Sequence, residues 1–98
     1  MKLIFHEEAS EEMLESALFY ESKSEGLGSD FLAALYETTN RILQLPSAAT
    51  IERATIRRRF VPGFPFTILY EVSGDSVFVA AVMHQRRRPG YWRKRLRS

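Results

Sequence analysis

The residues able to do chemistry crowd one stretch near the C-terminus. An apolar run, Val77-Phe78-Val79-Ala80-Ala81-Val82-Met83, leads into His84-Gln85-Arg86-Arg87-Arg88-Pro89-Gly90-Tyr91-Trp92-Arg93. Guanidinium groups hold phosphate or carboxylate and stack on aromatic faces, and histidine is the side chain that titrates near neutral pH. A second basic group, Arg57-Arg58-Arg59, lies earlier in the chain. Concentrating so much positive charge is costly unless something anionic or π-rich meets it. A buried strand that delivers this cluster to one edge of a small body is the expected arrangement.

Charge is distributed unevenly along the 98 residues. Residues 1–52 carry three basic and ten acidic side chains, a balance of −7, and residues 53–98 carry eleven and two, a balance of +9. An acidic face and a basic face on one domain, 1–98, are expected, the basic face suiting nucleic acid or an acidic protein segment. Pairing of strand arginines with helix glutamates would account for some of these charges, but not for Arg86-Arg87-Arg88. With no cysteine, disulfides, thiolate metal sites and thiol nucleophiles are excluded. Two histidines distant in sequence make no metal site, and no cofactor is expected. The longest apolar run is far too short for a membrane span, and the N-terminus lacks a signal-peptide pattern, so a cytoplasmic location is expected.

Periodicity supplies the elements that must position the cluster. Leu3-Ile4-Phe5 reads as a strand. Ala9, Met13, Ala17 and Tyr20 give a helical stripe, widened by Leu14 and Leu18, with Glu8, Glu11, Glu12 and Glu15 on a solvated opposite side. Gly26-Leu27-Gly28 ends that helix, and Ser29 or Asp30 is placed to cap the next. Phe31, Leu35, Thr38, Ile42 and Leu45 share one face until Pro46. Ala54 to Val61 then reads as a strand with Ile56, Arg58 and Phe60 inward and Arg57 and Arg59 on the open face. Phe66 to Val72 alternates as a half-buried strand, and Val77 to Met83 is apolar on both faces like a central one. Tyr91 to Leu96 reads as a short terminal turn or helix. The fold class is α+β, in the order β-α-α-β-β-β, a helical hairpin packed on a mostly antiparallel sheet.

This ordered set resembles the RelE/ParE superfamily of small bacterial toxins, the plasmid-stabilisation proteins. The resemblance spans nearly the whole chain. It is carried by the strand-helix-helix start, Gly26-Leu27-Gly28 followed by Phe31, Pro46, Arg57-Arg58, the aromatic-Pro-aromatic strand Phe64-Pro65-Phe66-Thr67-Ile68-Leu69-Tyr70, and His84, Arg86, Arg88, Pro89, Tyr91, Trp92 and Arg93. It implies a growth-arresting toxin held in a hetero-oligomer by a cognate antitoxin, of ribbon-helix-helix type. RelE-like members cleave mRNA in the ribosomal A site, whereas ParE-like members inhibit DNA gyrase.

The residues bear on that choice. Cleavage by a 2′-hydroxyl needs a base, an acid and cations near the developing phosphorane charge. The resemblance places an Arg of the RNA-cleaving branch where this chain has Phe66-Thr67, and a neutral threonine cannot replace it. For a nuclease the resemblance implies Arg57, Arg59, Arg86 and Tyr91, because Trp92, the other match to the family's terminal aromatic, stacks but transfers no proton. His84 reads as a capped strand end with one ring nitrogen hydrogen-bonded, or as a catalytic group. Tyr91 and Trp92 read as base-stacking groups or as a lid over the core. The ParE-like, gyrase-directed reading follows, with Arg57, Arg59, His84, Arg86, Arg87, Arg88, Tyr91, Trp92 and Arg93 as target- or antitoxin-binding residues. The alternatives are a ribosome-dependent mRNA interferase and a non-toxic binding module.

Overall fold

A histidine side chain starts the first helix. His6 Nδ1 accepts the Glu8 backbone N–H at 3.0 Å, satisfying one of the donors a helix N-terminus leaves open. The computed structural model describes residues 1–96, so the last two of the expected domain lie outside it. The described residues form β1 (Lys2–Phe5), α1 (Glu7–Lys23), α2 (Leu27–Gln44), β2 (Thr50–Arg53), β3 (Ile56–Phe60), β4 (Phe66–Ser73) and β5 (Ser76–His84), then a 3₁₀ turn at Arg93–Arg95. The sheet runs β1-β5-β4-β3-β2, with β1 parallel to β5 and the other neighbours antiparallel. This is the expected α+β class with one more strand, β2. All four β2 residues are exposed, so no buried alternation marks it in the sequence.

The hairpin of α1 and α2 buries Ala9, Ala17, Phe31, Leu35 and Ile42 against Ile68, Tyr70, Val77, Val79 and Val82. Leu14 and Leu18 do not widen the α1 stripe as expected; they are 54% and 71% exposed. Leu45 is likewise exposed, just past the end of α2. Neither Ser29 nor Asp30 caps α2. The helix begins earlier, behind Gly26 at φ +86°, and the Glu21 carboxylate accepts the Gly26 and Gly28 N–H groups, each at 2.9 Å. Gly28 sits where the helices nearly touch: a Cβ there would lie 2.5 Å from the Ala17 carbonyl oxygen. Gly28→Ala must push the helices apart, and a loss of about 1–3 kcal/mol is expected in thermal or urea unfolding.

Both faces of the sheet are covered. β4 is buried on its second face as well, with Thr67 and Glu71 3% and 7% exposed, so it is not the half-buried strand expected. That face carries Ile56, Leu69 and Ala81 under Trp92, with Tyr91 and Leu96 at the margin. β5 is an interior strand with an irregularity. Leu69 pairs Ala81 while Tyr70 pairs Val79, leaving Ala80 as the extra residue of a bulge. The bulge reverses the alternation beyond it, so His84 and Val82 share the helix-side face with Val79 and Val77 and not with Phe78, as simple alternation would have it.

Candidate functional site

β1 is shorter than its neighbour, and this shapes the C-terminal end of the molecule. Its last residue, Phe5, pairs with Val79, so from Ala80 onward β5 has an edge without a strand beside it. Side chains satisfy that edge. Glu12 Oε1 accepts the Val82 N–H at 3.0 Å, and Arg95 Nη1 donates to the Ala80 carbonyl at 3.1 Å. The two side chains are joined by a forked pair, Nη1 to Oε1 at 2.9 Å and Nη2 to Oε2 at 3.0 Å. Arg95 Nε lies 2.8 Å from Glu8 Oε2 as an ion pair, though not aligned as a hydrogen bond. The Tyr91 hydroxyl donates to Glu12 Oε2 at 2.7 Å. The side chains of Arg95 and Glu12 are only 9% and 15% exposed.

One carboxylate of α1 thus ties the strand edge to the tail. Glu12 is not part of a solvated acidic face, as its sequence neighbourhood suggests. Burial lowers the pKa of Arg95, but its hydrogen bond to Glu12 and the Glu12, Tyr91 and Glu8 charges outweigh that and raise it. Burial, then the hydrogen bond to Glu12 and that residue's charge, push Tyr91 far above the usual phenol range, with Arg95 and Arg87 opposing. Because the native state holds that proton more tightly, the stability involved is complete below about pH 10 and declines as pH rises further. Burial raises Tyr20 and Tyr70 too, so only part of the alkaline loss belongs to Tyr91. Urea unfolding at about pH 9 to 11 is expected to show a shallower decline for Tyr91→Phe than for the parent chain.

The candidate residues do not form one cluster. His84, Arg87 and Tyr91 line a groove of about 270 Å³ with Glu12, Glu15, Ser16, Phe19, Tyr20, Phe66 and Val82. Arg57, Arg59 and Arg86 are outside that lining. His84 Nδ1 accepts the Arg86 N–H at 3.0 Å while the ring meets Phe66 edge-on at 5.1 Å. The bonded lone pair assigns the neutral ring's proton to Nε2, a donor rather than a base. The Arg87 guanidinium lies 3.8 Å from the centre of the Tyr91 ring. Trp92 is 4% exposed and packs into the core, so any part it has in binding is indirect.

The side chains of β3 group as expected and Ile56 is buried, but Phe60 is 61% exposed and the Arg57 and Arg59 side faces the helices rather than lying open. Arg57 and Arg59 pair with Tyr70 and Ile68, whose side chains face the helices. Arg57 Nη1 donates to the Ala49 carbonyl at 2.8 Å, beside the Tyr70 hydroxyl, which donates to the Pro46 carbonyl. Arg58 is on the tail-side face and pairs with Glu52 at 2.7 Å near the surface, not with a buried group. Inward and outward lose their simple meaning when both faces are covered. Thr67 is buried on the tail side.

The model of the ParE toxin of type II toxin-antitoxin systems, parDE, matches residues 3–89. The chain belongs to the ParE toxin family. It is the toxin component of a type II toxin-antitoxin system, and a cognate antitoxin is its implied partner. The ParE fold is seen directly in a solved structure, the chromosomal ParDE TA system from P. aeruginosa, with a TM-score of 0.63 and 16% identity over 86% of this chain and 95% of that one. No curated protein matches at a significant level. Among the described residues, no helix is long and apolar enough to cross a membrane.

Proposed function

We propose that this ParE family member is a gyrase-directed, non-nucleolytic toxin, a single domain acting in the cytoplasm and neutralised in a hetero-oligomer by a cognate antitoxin of ribbon-helix-helix type. The observation that carries the reading is the Tyr91 hydroxyl. It is the one phenol of the basic tail, its proton is directed onto Glu12, and its pKa is raised far from neutrality. A general acid or base works best with a pKa near the working pH. His84 offers no free lone pair in its assigned tautomer, and Thr67 brings no positive charge. What is left is a surface for holding anionic groups, with Arg86, Arg87, Arg88 and Arg93 exposed.

Expression without antitoxin is expected to arrest growth while translated messages remain uncut in primer extension. Cuts at A-site codons that vanish with Arg86→Ala would replace this reading with the mRNA interferase. Absence of growth arrest would leave a non-toxic binding module.

A further inference from the structure

The tail and β2 together gather more positive charge than the fold uses. Arg86, Arg87, Arg88, Arg93 and Lys94 are all exposed, on a segment compacted by successive tight turns: Arg87 N–H to His84 O, Tyr91 N–H to Arg88 O, and Arg93 N–H to Gly90 O. None of the five takes part in the ion pairs of the described residues, which involve Arg41, Arg58 and Arg95. Folding adds a sixth cation from far away in sequence. Exposed Arg53, at the end of β2, lines a crevice of about 130 Å³ with Arg93, Ala54, Ile56, Trp92 and Leu96. The wall of that crevice is almost wholly apolar, so the stems of the two arginines meet there while both residues stay exposed. Of the acidic residues near the tail and β2, Glu8 and Glu12 are held by Arg95, Glu52 pairs with Arg58, Glu15 lines the groove that Arg87 lines, and Glu71 is buried and accepts the Thr55 hydroxyl. The molecule is therefore polarised, with a cationic end available to a polyanion.

The aromatic groups say which kind. Recognition of single strands relies on exposed rings on which unpaired bases stack. In this tail Trp92 is buried, and the Tyr91 ring is covered by Arg87 and flanked by Arg95 at 4.9 Å. Exposed Phe19 lines the groove beside Arg87, but the Lys23 ammonium lies 5.1 Å from the centre of its ring. Guanidinium and ammonium groups outside that groove suit backbone phosphates of a closed duplex, contacted without regard to sequence.

We infer that Arg53, Arg86, Arg88, Arg93 and Lys94 form a surface that binds the phosphate backbone of double-stranded DNA directly, with no help from a protein target. The inference goes beyond the gyrase reading and is tested without gyrase, so either can fail alone. A fluorescein-labelled duplex of about 20 base pairs and mixed sequence is titrated with the intact chain, and anisotropy is followed at several salt concentrations. Micromolar binding at about 50 mM salt is expected, weakening roughly 100-fold by about 200 mM if about four phosphates are neutralised. Arg53→Gln with Arg93→Gln is expected to reduce both affinity and salt slope, and so is the separate pair Arg86→Gln with Arg88→Gln. Circular dichroism melting identifies any variant that has lost its fold, and the other pair then decides. No duplex binding at low salt would overturn the inference, as would binding that both folded variants retain in full. Tighter binding of a polyglutamate peptide than of the duplex would also overturn it, assigning the surface to an acidic protein segment.

Discussion

Arg95→Ala is expected to cost about 3–5 kcal/mol, the loss seen when one partner of a buried ion pair is removed. The substitution leaves the Glu12 carboxylate, 15% exposed, facing the Val82 N–H and the Tyr91 hydroxyl without its cation, and it frees the Ala80 carbonyl. Domains of this size hold only about 5–15 kcal/mol in all, so the variant should melt at a much lower temperature, by about 4–8 °C per kcal/mol. The charge itself, more than the contact, is responsible. Glu12→Gln combined with Arg95→Met keeps an acceptor for Val82 and Tyr91 and removes both charges, so the double variant is expected to be more stable than Arg95→Ala. Thermal melts of the two proteins check this. Equal destabilisation would mean that Arg95 acts through its bond to the Ala80 carbonyl, which neither variant keeps.

Replacing Arg86, Arg87 and Arg88 together with alanine has the opposite profile. All three are exposed, and only Arg87 has a described side-chain contact, its stack on Tyr91. Exposed substitutions of this kind change stability by about 0.5 kcal/mol or less each, with up to about 1 kcal/mol more for the cation–π contact. Toxicity is nevertheless expected to disappear, because the triplet is the densest part of the surface proposed to meet the target. Growth after induction and a melting curve on the same protein provide the check. Retained toxicity would remove the triplet from the binding surface, and a large fall in melting temperature would give it a structural role.

The parts of this molecule legible in its sequence are those with a local period. The 3.6-residue spacing of Phe31, Leu35, Thr38 and Ile42 and the stop at Pro46 define α2 because one face is buried and one chain segment supplies it. The doubly apolar run of β5 marks an interior strand for the same reason. What could not be read depends on pairs far apart. Glu12 and Arg95 are separated by 83 residues, and Glu12 sits among glutamates whose spacing describes a solvated face. The tail that covers the second side of the sheet has no periodicity, so Thr67 and Glu71 give β4 the look of a strand facing water. Polar β2 gives no signal at all. The extra residue at Ala80 reverses the phase within an otherwise regular strand, which transfers His84 to the helix side.

The candidate site shows the same division. Residue types marked the basic tail, whereas the contacts its members make came from packing. Arg57 holds a loop carbonyl, Trp92 fills the core, and Arg95, absent from the sequence-derived candidates, anchors the whole segment. A guanidinium three residues beyond Trp92 carries no mark that distinguishes it from its exposed neighbours.

Purified gyrase offers the most direct test of the gyrase-directed reading. The isolated toxin is expected to inhibit supercoiling of relaxed plasmid and to accumulate cleaved plasmid in complex with gyrase, and the cognate antitoxin is expected to prevent both. Full supercoiling activity with no cleaved complex, from a toxin preparation that still arrests growth, would contradict it.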